Sequence, residues 1–175
     1  EPADGFSFNL ASDLPIGATT PAAAENGGGT GFSFCVDNYR FAPYPAGGTA
    51  ATSGMKIRYG GVDIAGVQIP TWNNAAFVPV SITLASDGAL AVLVDGTNVF
   101  GALSLPWTPT AGRFGLYART GGQNETHWID DLAINVATAG SPGSLAANFN
   151  GGGFGTVVLN GGTVTYTPPL GGGGS

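Results

Sequence analysis

The sequence predicts an all-β protein, a sandwich or barrel of short antiparallel strands, for three reasons. Apolar residues recur with a period of two over much of the chain, as in strands that bury one face. Asp-Gly pairs separate several of these runs, and glycine accepts the positive φ that tight hairpin turns require. No segment has the 3.6-residue apolar period of an amphipathic helix. The 175 residues suffice for one domain with a substantial core.

Two strands are predicted near the N-terminus. The segment GFSFNLA has the apolar residues Phe6, Phe8 and Leu10. The segment GFSFCVD has one apolar face with Phe32, Phe34 and Val36, and an opposite face with Ser33, Cys35 and Asp37. Because successive side chains of a strand point to opposite faces, each strand is expected to bury its apolar face.

Strands joined by tight turns are predicted in the middle of the chain. Apolar residues alternate over Val78–Leu84 and again over Leu90–Val94. The segment SDGA lies between these runs and DGTN follows them, and both are hairpin turns of the Asp-Gly type. The segments RFGLYA (113–118) and WIDDLAINV (128–136) are predicted as two further strands.

The C-terminal part differs in composition. TAGSPGS (138–144) is typical of a linker, and GTVVLNGGTVTYTP (155–168) predicts a hairpin with its bend at Asn160–Gly162. The final GGGGS resembles a flexible spacer. The predicted organisation is a sandwich over 1–139, a linker with a hairpin over 140–170, and a glycine-rich tail over 171–175.

Charge excludes two classes of partner. The formal net charge is −6 and Lys56 is the only lysine, so nucleic acid and an anionic membrane surface would be repelled. No apolar run reaches the roughly 20 residues needed to span a bilayer. Cys35 has no second cysteine with which to pair, and is expected to be a small buried residue.

Three segments, taken in order, resemble a known family. ADGFSFNLA (3–11), GGGTGFSFCVDNY (27–39) and GRFGLYARTGGQNETHWIDDLAI (112–134) are similar to blocks of L-type, legume-lectin-like domains, and closest to modules of bacterial surface proteins. The resemblance covers residues 3–137. It implies a concanavalin-like jelly-roll sandwich, located extracellularly or on the cell surface, that binds glycans or polysaccharide at one rim without catalysis.

The resemblance also implies a carbohydrate site. Asp4 would accept hydrogen bonds from sugar hydroxyls, and a backbone N–H near Gly28 or Gly29 would donate one. An asparagine, Asn38, and the loop of Gly121, Gly122, Gln123 and Asn124 would supply the remaining contacts. Sugars require such carboxylate acceptors and amide donors, together with an apolar platform. Trp72, in the polar turn PTWNNAA, is the first candidate for stacking, ahead of Trp107 and Trp128.

The family's metal strand carries Glu-x-Asp, and this chain departs from it. Cys35 stands in place of the glutamate, Asp37 remains, and the next carboxylate is Asp63. Because Ca²⁺ requires six to eight oxygen ligands, no resident cofactor is expected, and Ca²⁺ is the alternative. Asp37 is the remaining candidate ligand.

Catalysis is not expected from the remaining polar residues. His127, the only histidine, lies near Glu125 and Asp130, but no G-x-S-x-G elbow accompanies it. Glycosidases need two carboxylates flanking the scissile bond, and no E-x-D-x-E strand is present. Asp130 and Asp131 would lie on opposite faces of their predicted strand. His127 is therefore expected to be structural.

A second interpretation is a filament subunit. Family members carry one or two strands before the ADG block, so a sheet edge would lack a partner here. The C-terminal hairpin is expected to complete that sheet, either within the chain or in a neighbouring copy. Repeated head to tail, the second arrangement builds a fibre by strand exchange between copies of this chain.

Overall fold

The structure, a computed structural model of the chain, describes residues 4–16, 23–39, 53–70, 72, 76–122 and 125–136, together with the backbone of strands 144–145, 158–159 and 163–165. Within these residues the chain is almost entirely strand and turn, and the one helical element described is a 3₁₀ turn at Ala24–Asn26. The prediction of an all-β protein is confirmed. No helix among the described residues has the length and apolar character that a membrane crossing demands.

In chain order the strands are β1 (Gly5–Ala11), β2 (Phe32–Asp37), β3 (Ser53–Tyr59), β4 (Val62–Ile69), β5 (Val80–Leu84), β6 (Ala89–Val94), β7 (Thr97–Asn98), β8 (Leu103–Ser104), β9 (Gly112–Arg119), β10 (Ala133–Asn135), β11 (Ser144–Leu145), β12 (Val158–Leu159) and β13 (Thr163–Thr165).

The largest sheet has six antiparallel strands in the order β12-β9-β1-β2-β3-β4. Its centre is β1, which pairs with β2 on one side and with β9 on the other. Gly5 lies opposite both Asp37 and Arg119. The start of β1 and the ends of β2 and β9 therefore meet at the same end of this sheet.

A second sheet of four strands is built around β6. Strand β5 pairs along its whole length with β6, and β7 and β8 each pair with part of it. The two predicted Asp-Gly turns are confirmed. Asp95 and Gly96 both have positive φ, 49° and 74°, as a two-residue hairpin turn requires, and Gly88 has a φ of 88° in the turn before β6.

The core lies between these two sheets, as in a β-sandwich. The large sheet contributes the buried residues Phe32, Phe34, Val36, Met55 and Ile57, and β6 contributes Leu90 and Val92. Phe6, Phe8 and Leu10 of β1 pack against this cluster and are partly buried. The apolar faces predicted for β1 and β2 are thus confirmed as core faces.

Strands β3 and β4 were not among the predicted strands. They form an antiparallel hairpin whose turn, Gly60–Gly61, has positive φ at both residues, 62° and 77°. The signal was available in the sequence, since Met55, Ile57 and Tyr59 alternate with polar residues directly before a Gly-Gly pair.

Two predictions for the second half of the chain need correction. Strand β10 begins only at Ala133, and Asp130 and Asp131 precede it in a turn, where Asp131 has a φ of 48°. The two aspartates therefore do not alternate across a strand. The Oδ1 atom of Asp130 instead accepts the backbone N–H of Asp131 at 2.9 Å.

The second correction concerns the C-terminal hairpin, because the described strands β12 and β13 do not pair with each other. Strand β12 pairs with β9, at the edge of the six-stranded sheet, whereas β13 lies between β10 and β11 in a three-stranded sheet. Each strand thus joins a different sheet of its own chain. The bend at Asn160–Gly162 and the tail over 171–175 lie outside the described residues.

The outer face of the six-stranded sheet is polar and yet partly buried. Ser7 and Asn9 on β1 are both fully buried, because the segment around the 3₁₀ turn lies over them. The Ser7 hydroxyl donates to the Ala24 carbonyl at 2.6 Å, and the Gly28 N–H donates to Oδ1 of Asn9 at 2.8 Å. Buried polar groups are tolerated when they are bonded in this way.

Candidate functional site

Three of the predicted site residues converge at one end of the six-stranded sheet. Asp4 directly precedes β1, Asn38 directly follows β2, and Gly121 lies two residues beyond β9. The Asp4 N–H donates to the Arg119 carbonyl at 3.0 Å, and the Asn38 N–H donates to the Asp4 carbonyl at 2.7 Å. We call Asp4, Asn38 and Gly121 the Asp4 rim.

The Asp4 carboxylate is held by an ion pair. The residue is 7 % exposed, and its Oδ2 atom lies 2.9 Å from Nε of Arg119. The same guanidinium reaches Oε1 of Glu25, on the 3₁₀ turn, at 2.9 Å. Arg119 therefore links the start of β1 to the segment that covers the polar face of the sheet.

Gly121 lies against Asp4 because it has no side chain. A Cβ atom at this position would lie 2.9 Å from Oδ2 of Asp4, closer than real Cβ contacts allow. At Gly122, by contrast, a Cβ atom would meet nothing within 4 Å. The glycine at 121 thus permits the loop after β9 to approach the carboxylate, and the glycine at 122 has no such role.

Asn38 ties three loops together. Its Nδ2 atom donates to the Trp72 carbonyl at 3.1 Å and to Oε2 of Glu125 at 3.0 Å. Its Oδ1 atom accepts the Trp72 N–H at 3.1 Å. These bonds join the end of β2 to the segment after β4 and to the segment before β10. The Asn38 side chain is therefore a clamp between loops.

His127 extends this network. Its Nε2 atom is hydrogen-bonded to Oε1 of Glu125, and its ring contacts Phe6 edge-on, with centroids 5.7 Å apart. The structural role predicted for His127 agrees with these contacts, since the ring packs on the core and orients the carboxylate that holds Asn38. Glu125 was not among the predicted site residues, although its spacing from His127 was visible in the sequence.

Gly28 and Gly29 lie away from the Asp4 rim, contrary to the predicted convergence. They precede β2, whereas Asn38 follows it, and six strand residues span about 20 Å. The Gly28 N–H is engaged by Asn9, and Gly29 packs against Ala11 and Asp13 at the far end of β1. The physical reason is topological, because the two ends of one strand lie at opposite ends of the sheet.

Two further predicted residues, Gln123 and Asn124, lie outside the described residues. Of the predicted loop 121–124, the structure therefore describes only Gly121 and Gly122. The loop resumes at Glu125, which the Asn38 clamp holds.

Asp37, the remaining candidate metal ligand, has a different set of contacts. Its Oδ1 atom accepts the Tyr39 N–H at 2.9 Å. Burial raises the pKa of Asp37 to about 6, while the Tyr39 N–H and Lys56 lower it and Glu25 and Asp4 raise it. One of its oxygens is thus already engaged by the backbone, whereas Ca²⁺ requires about six to eight oxygen ligands.

The described neighbours of Asp37 do not supply the missing ligands. Among the residues that the structure describes, no group of three or more His, Cys, Asp or Glu side chains could hold a metal ion. Cys35, in the place of the family's glutamate, is fully buried, and burial raises the pKa of its thiol to about 12. The described residues at this position do not fit a Ca²⁺ site.

The tryptophans differ from their predicted order. Trp72 packs against the core and contacts the Phe6 ring edge-on at 5.8 Å. Trp128 is 77 % exposed and directly follows His127, which contacts Phe6 near the Asp4 rim. The sequence predicts a strand over residues 128–136, whereas Trp128 lies before β10, which begins at Ala133.

Comparisons with protein-family models, with curated proteins and with solved structures found no match to this chain.

Proposed function

We propose that this chain is a non-enzymatic carbohydrate-binding and adhesion module whose site is the Asp4 rim together with Trp128. The observation that carries the proposal is the convergence of Asp4, Asn38 and Gly121 at one end of the six-stranded sheet. These residues come from three separate segments of the sequence, and the resemblance to lectin-like domains assigns sugar contacts to each of them.

The chemistry of the Asp4 rim suits a saccharide. A carboxylate paired to Arg119 keeps lone pairs that can accept bonds from hydroxyls. An exposed tryptophan supplies a flat apolar platform, and aromatic rings with a polar edge are favoured where one face of a ligand is apolar. The clamp of Asn38 on Glu125 and Trp72 holds the surrounding loops in place before a ligand arrives, which lowers the ordering cost of binding.

The finer features of the fold belong to the same proposal. We infer a sandwich of the concanavalin-like jelly-roll type, supported by the adjacency of β9, β1 and β2, which carry the three segments that resemble lectin-like domains. The resemblance also supports an extracellular or cell-surface location. An experimental structure of the chain would test the topology.

A glycan array tests the binding function. The intact chain is compared with Trp128→Ala, with Asp4→Asn, and with the control Ile16→Ala, whose side chain is also exposed but follows the opposite end of β1. We expect the first two variants to lose binding at least tenfold and the control to keep it. Binding that is equal in all four proteins would contradict the proposal.

A second candidate function is a filament subunit joined by strand exchange. Its specific support is the outer edge of β9, where the described partner, β12, pairs only with Gly112 and Arg113. A sheet edge of this kind attracts additional strands. Light scattering tests it: a monodisperse monomer contradicts the filament, and assemblies that survive deletion of residues 156–170 are not joined by the C-terminal strands.

A further inference from the structure

A cleft lies at the far end of the six-stranded sheet, away from the Asp4 rim. It has a volume of about 210 Å³, and its walls include Ser12, Thr30, Gly31, Tyr59, Trp107 and Thr110. Asp4 and the end of β1 at Ala11 are separated by seven residues, or about 23 Å of extended strand. The cleft is therefore separate from the Asp4 rim. We call it the Tyr59–Trp107 cleft.

The walls of this cleft are held by hydrogen bonds. The guanidinium of Arg113 donates to the carbonyls of Ser12 and Leu14, at 3.1 and 2.7 Å, which positions the wall that follows β1. The Thr30 N–H donates to the Asp13 carboxylate at 2.9 Å. The segment 12–14 therefore joins the wall that follows β1 to the wall that contains Thr30.

The third wall is joined to the second in the same manner. The Gly60 N–H donates to the Thr30 carbonyl at 2.8 Å, so the end of β3 that carries Tyr59 is tied to the Thr30 segment. A Cβ atom on Gly31 would lie 2.1 Å from the Leu10 carbonyl, so only glycine allows this segment to approach β1. The cleft is thus formed by packing and needs no ligand to shape it.

The chemistry of the walls defines the class of ligand. Among the described residues that line the cleft, none carries a charged side chain, which disfavours an ionic ligand. The lining residues Tyr59 and Trp107 carry aromatic rings, and Ser12, Thr30 and Thr110 carry hydroxyls, which can both donate and accept hydrogen bonds. A volume of about 210 Å³ is smaller than the roughly 300–1,000 Å³ of sites for drug-sized molecules, so a single ring fits.

We propose that the Tyr59–Trp107 cleft is a second binding site, which takes one neutral pyranose ring. The ring places its apolar face on an aromatic side chain and its hydroxyls toward the three threonine and serine hydroxyls. The class of ligand follows from the walls of the cleft, so the proposal stands apart from the Asp4 rim. A chain with a site at each end of one sheet can bridge two glycan strands.

The test uses saturation-transfer NMR on the full chain with the methyl glycosides of glucose, galactose, mannose and xylose. Thr110→Arg places a long side chain in the cleft, and Thr108→Arg is the matched control, because Thr108 is also exposed and does not line the cleft. We expect transfer to at least one glycoside in the wild type and in Thr108→Arg, and at least a tenfold weaker affinity in Thr110→Arg.

Each outcome bears on the proposal. Equal affinity in the two arginine variants, or no transfer to any of the four glycosides in the wild type, would overturn it. Should Thr110→Arg fail to fold, Ser12→Arg blocks the opposite wall from an exposed position. Trp128→Ala tests the two sites separately. If this variant leaves glycan-array binding unchanged and still shows saturation transfer to the glycosides, the Asp4 rim is refuted as a binding site and the cleft is retained.

Discussion

The Asn38 clamp predicts a large effect from one small substitution. Asn38→Ala removes three hydrogen bonds, two to the backbone of Trp72 and one to the carboxylate of Glu125. A neutral bond is worth about 1 kcal/mol and a bond to a charged group about 1.5–3 kcal/mol. The sum is about 3.5–5 kcal/mol.

Water recovers part of this loss, because the Glu125 and Trp72 partners are only partly buried. We therefore expect Asn38→Ala to lower the free energy of unfolding by about 2–4 kcal/mol. For a chain of this length the corresponding fall in Tm is about 4–16 °C. Urea denaturation followed by tryptophan fluorescence measures the free energy, and a thermal scan measures Tm.

Asn98→Ala is the matched control for this experiment. Asn98 also donates from its side chain to a carbonyl, that of Gly101, and accepts the Phe100 N–H, but it lies on the surface. We expect this variant to lose at most about 1 kcal/mol, since an exposed partner can bond to water instead. Equal losses in the two variants would refute the argument that Asn38 holds the loops together.

A second variant, Asn38→Asp, tests how a charge at this position changes the free energy of unfolding. The aspartate keeps an acceptor for the Trp72 N–H, but it loses both donated bonds and places a carboxylate opposite Glu125. We expect it to be at least as unstable as Asn38→Ala at pH 7, and to regain stability as the pH falls toward the carboxyl range. A pH-independent loss would contradict this electrostatic reasoning.

Three further predictions concern the rim and the core. Asp37→Asn is expected to raise the free energy of unfolding by about 1–2 kcal/mol at pH 7, after allowance for solvent screening. Burial raises the folded-state pKa of Asp37 to about 6, so the cost of its charge is complete above pH 6 and absent below pH 4. Denaturation at pH 4 and pH 7 checks this, and a gain that is equal at both values contradicts it. Gly121→Ala should cost about 1–3 kcal/mol through its clash with Asp4, whereas Gly122→Ala should cost under about 0.5 kcal/mol; equal costs in urea denaturation would refute the close approach. Phe34→Ala should cost about 3–5 kcal/mol, as for a buried aromatic side chain, and a loss below about 1 kcal/mol would place Phe34 outside the core.

The candidate site was predictable only in part. Asp4, Asn38 and Gly121 come together at one end of the six-stranded sheet, and the register of β1 with β2 and β9 explains why. The links that hold them were not predictable, because Arg119 and Glu125 act through partners distant in sequence. Trp72 and Trp128 exchanged their expected environments, since the exposure of a ring depends on which loops pack over it.

The amino-acid sequence alone determined the local elements of this protein. Alternation of Phe6, Phe8 and Leu10 specified a strand with one apolar face, and Asp95–Gly96 specified a tight turn, because side-chain direction and allowed φ are properties of adjacent residues.

Only the tertiary structure decided which segments meet. Gly28 and Asn38 lie near each other in sequence, yet β2 carries them to opposite ends of the sheet. Asn9 looks like a surface residue of an alternating strand, yet the segment around Ala24–Asn26 covers it and bonds to it. Both outcomes depend on strand register and on long-range packing, which no local pattern of residues contains.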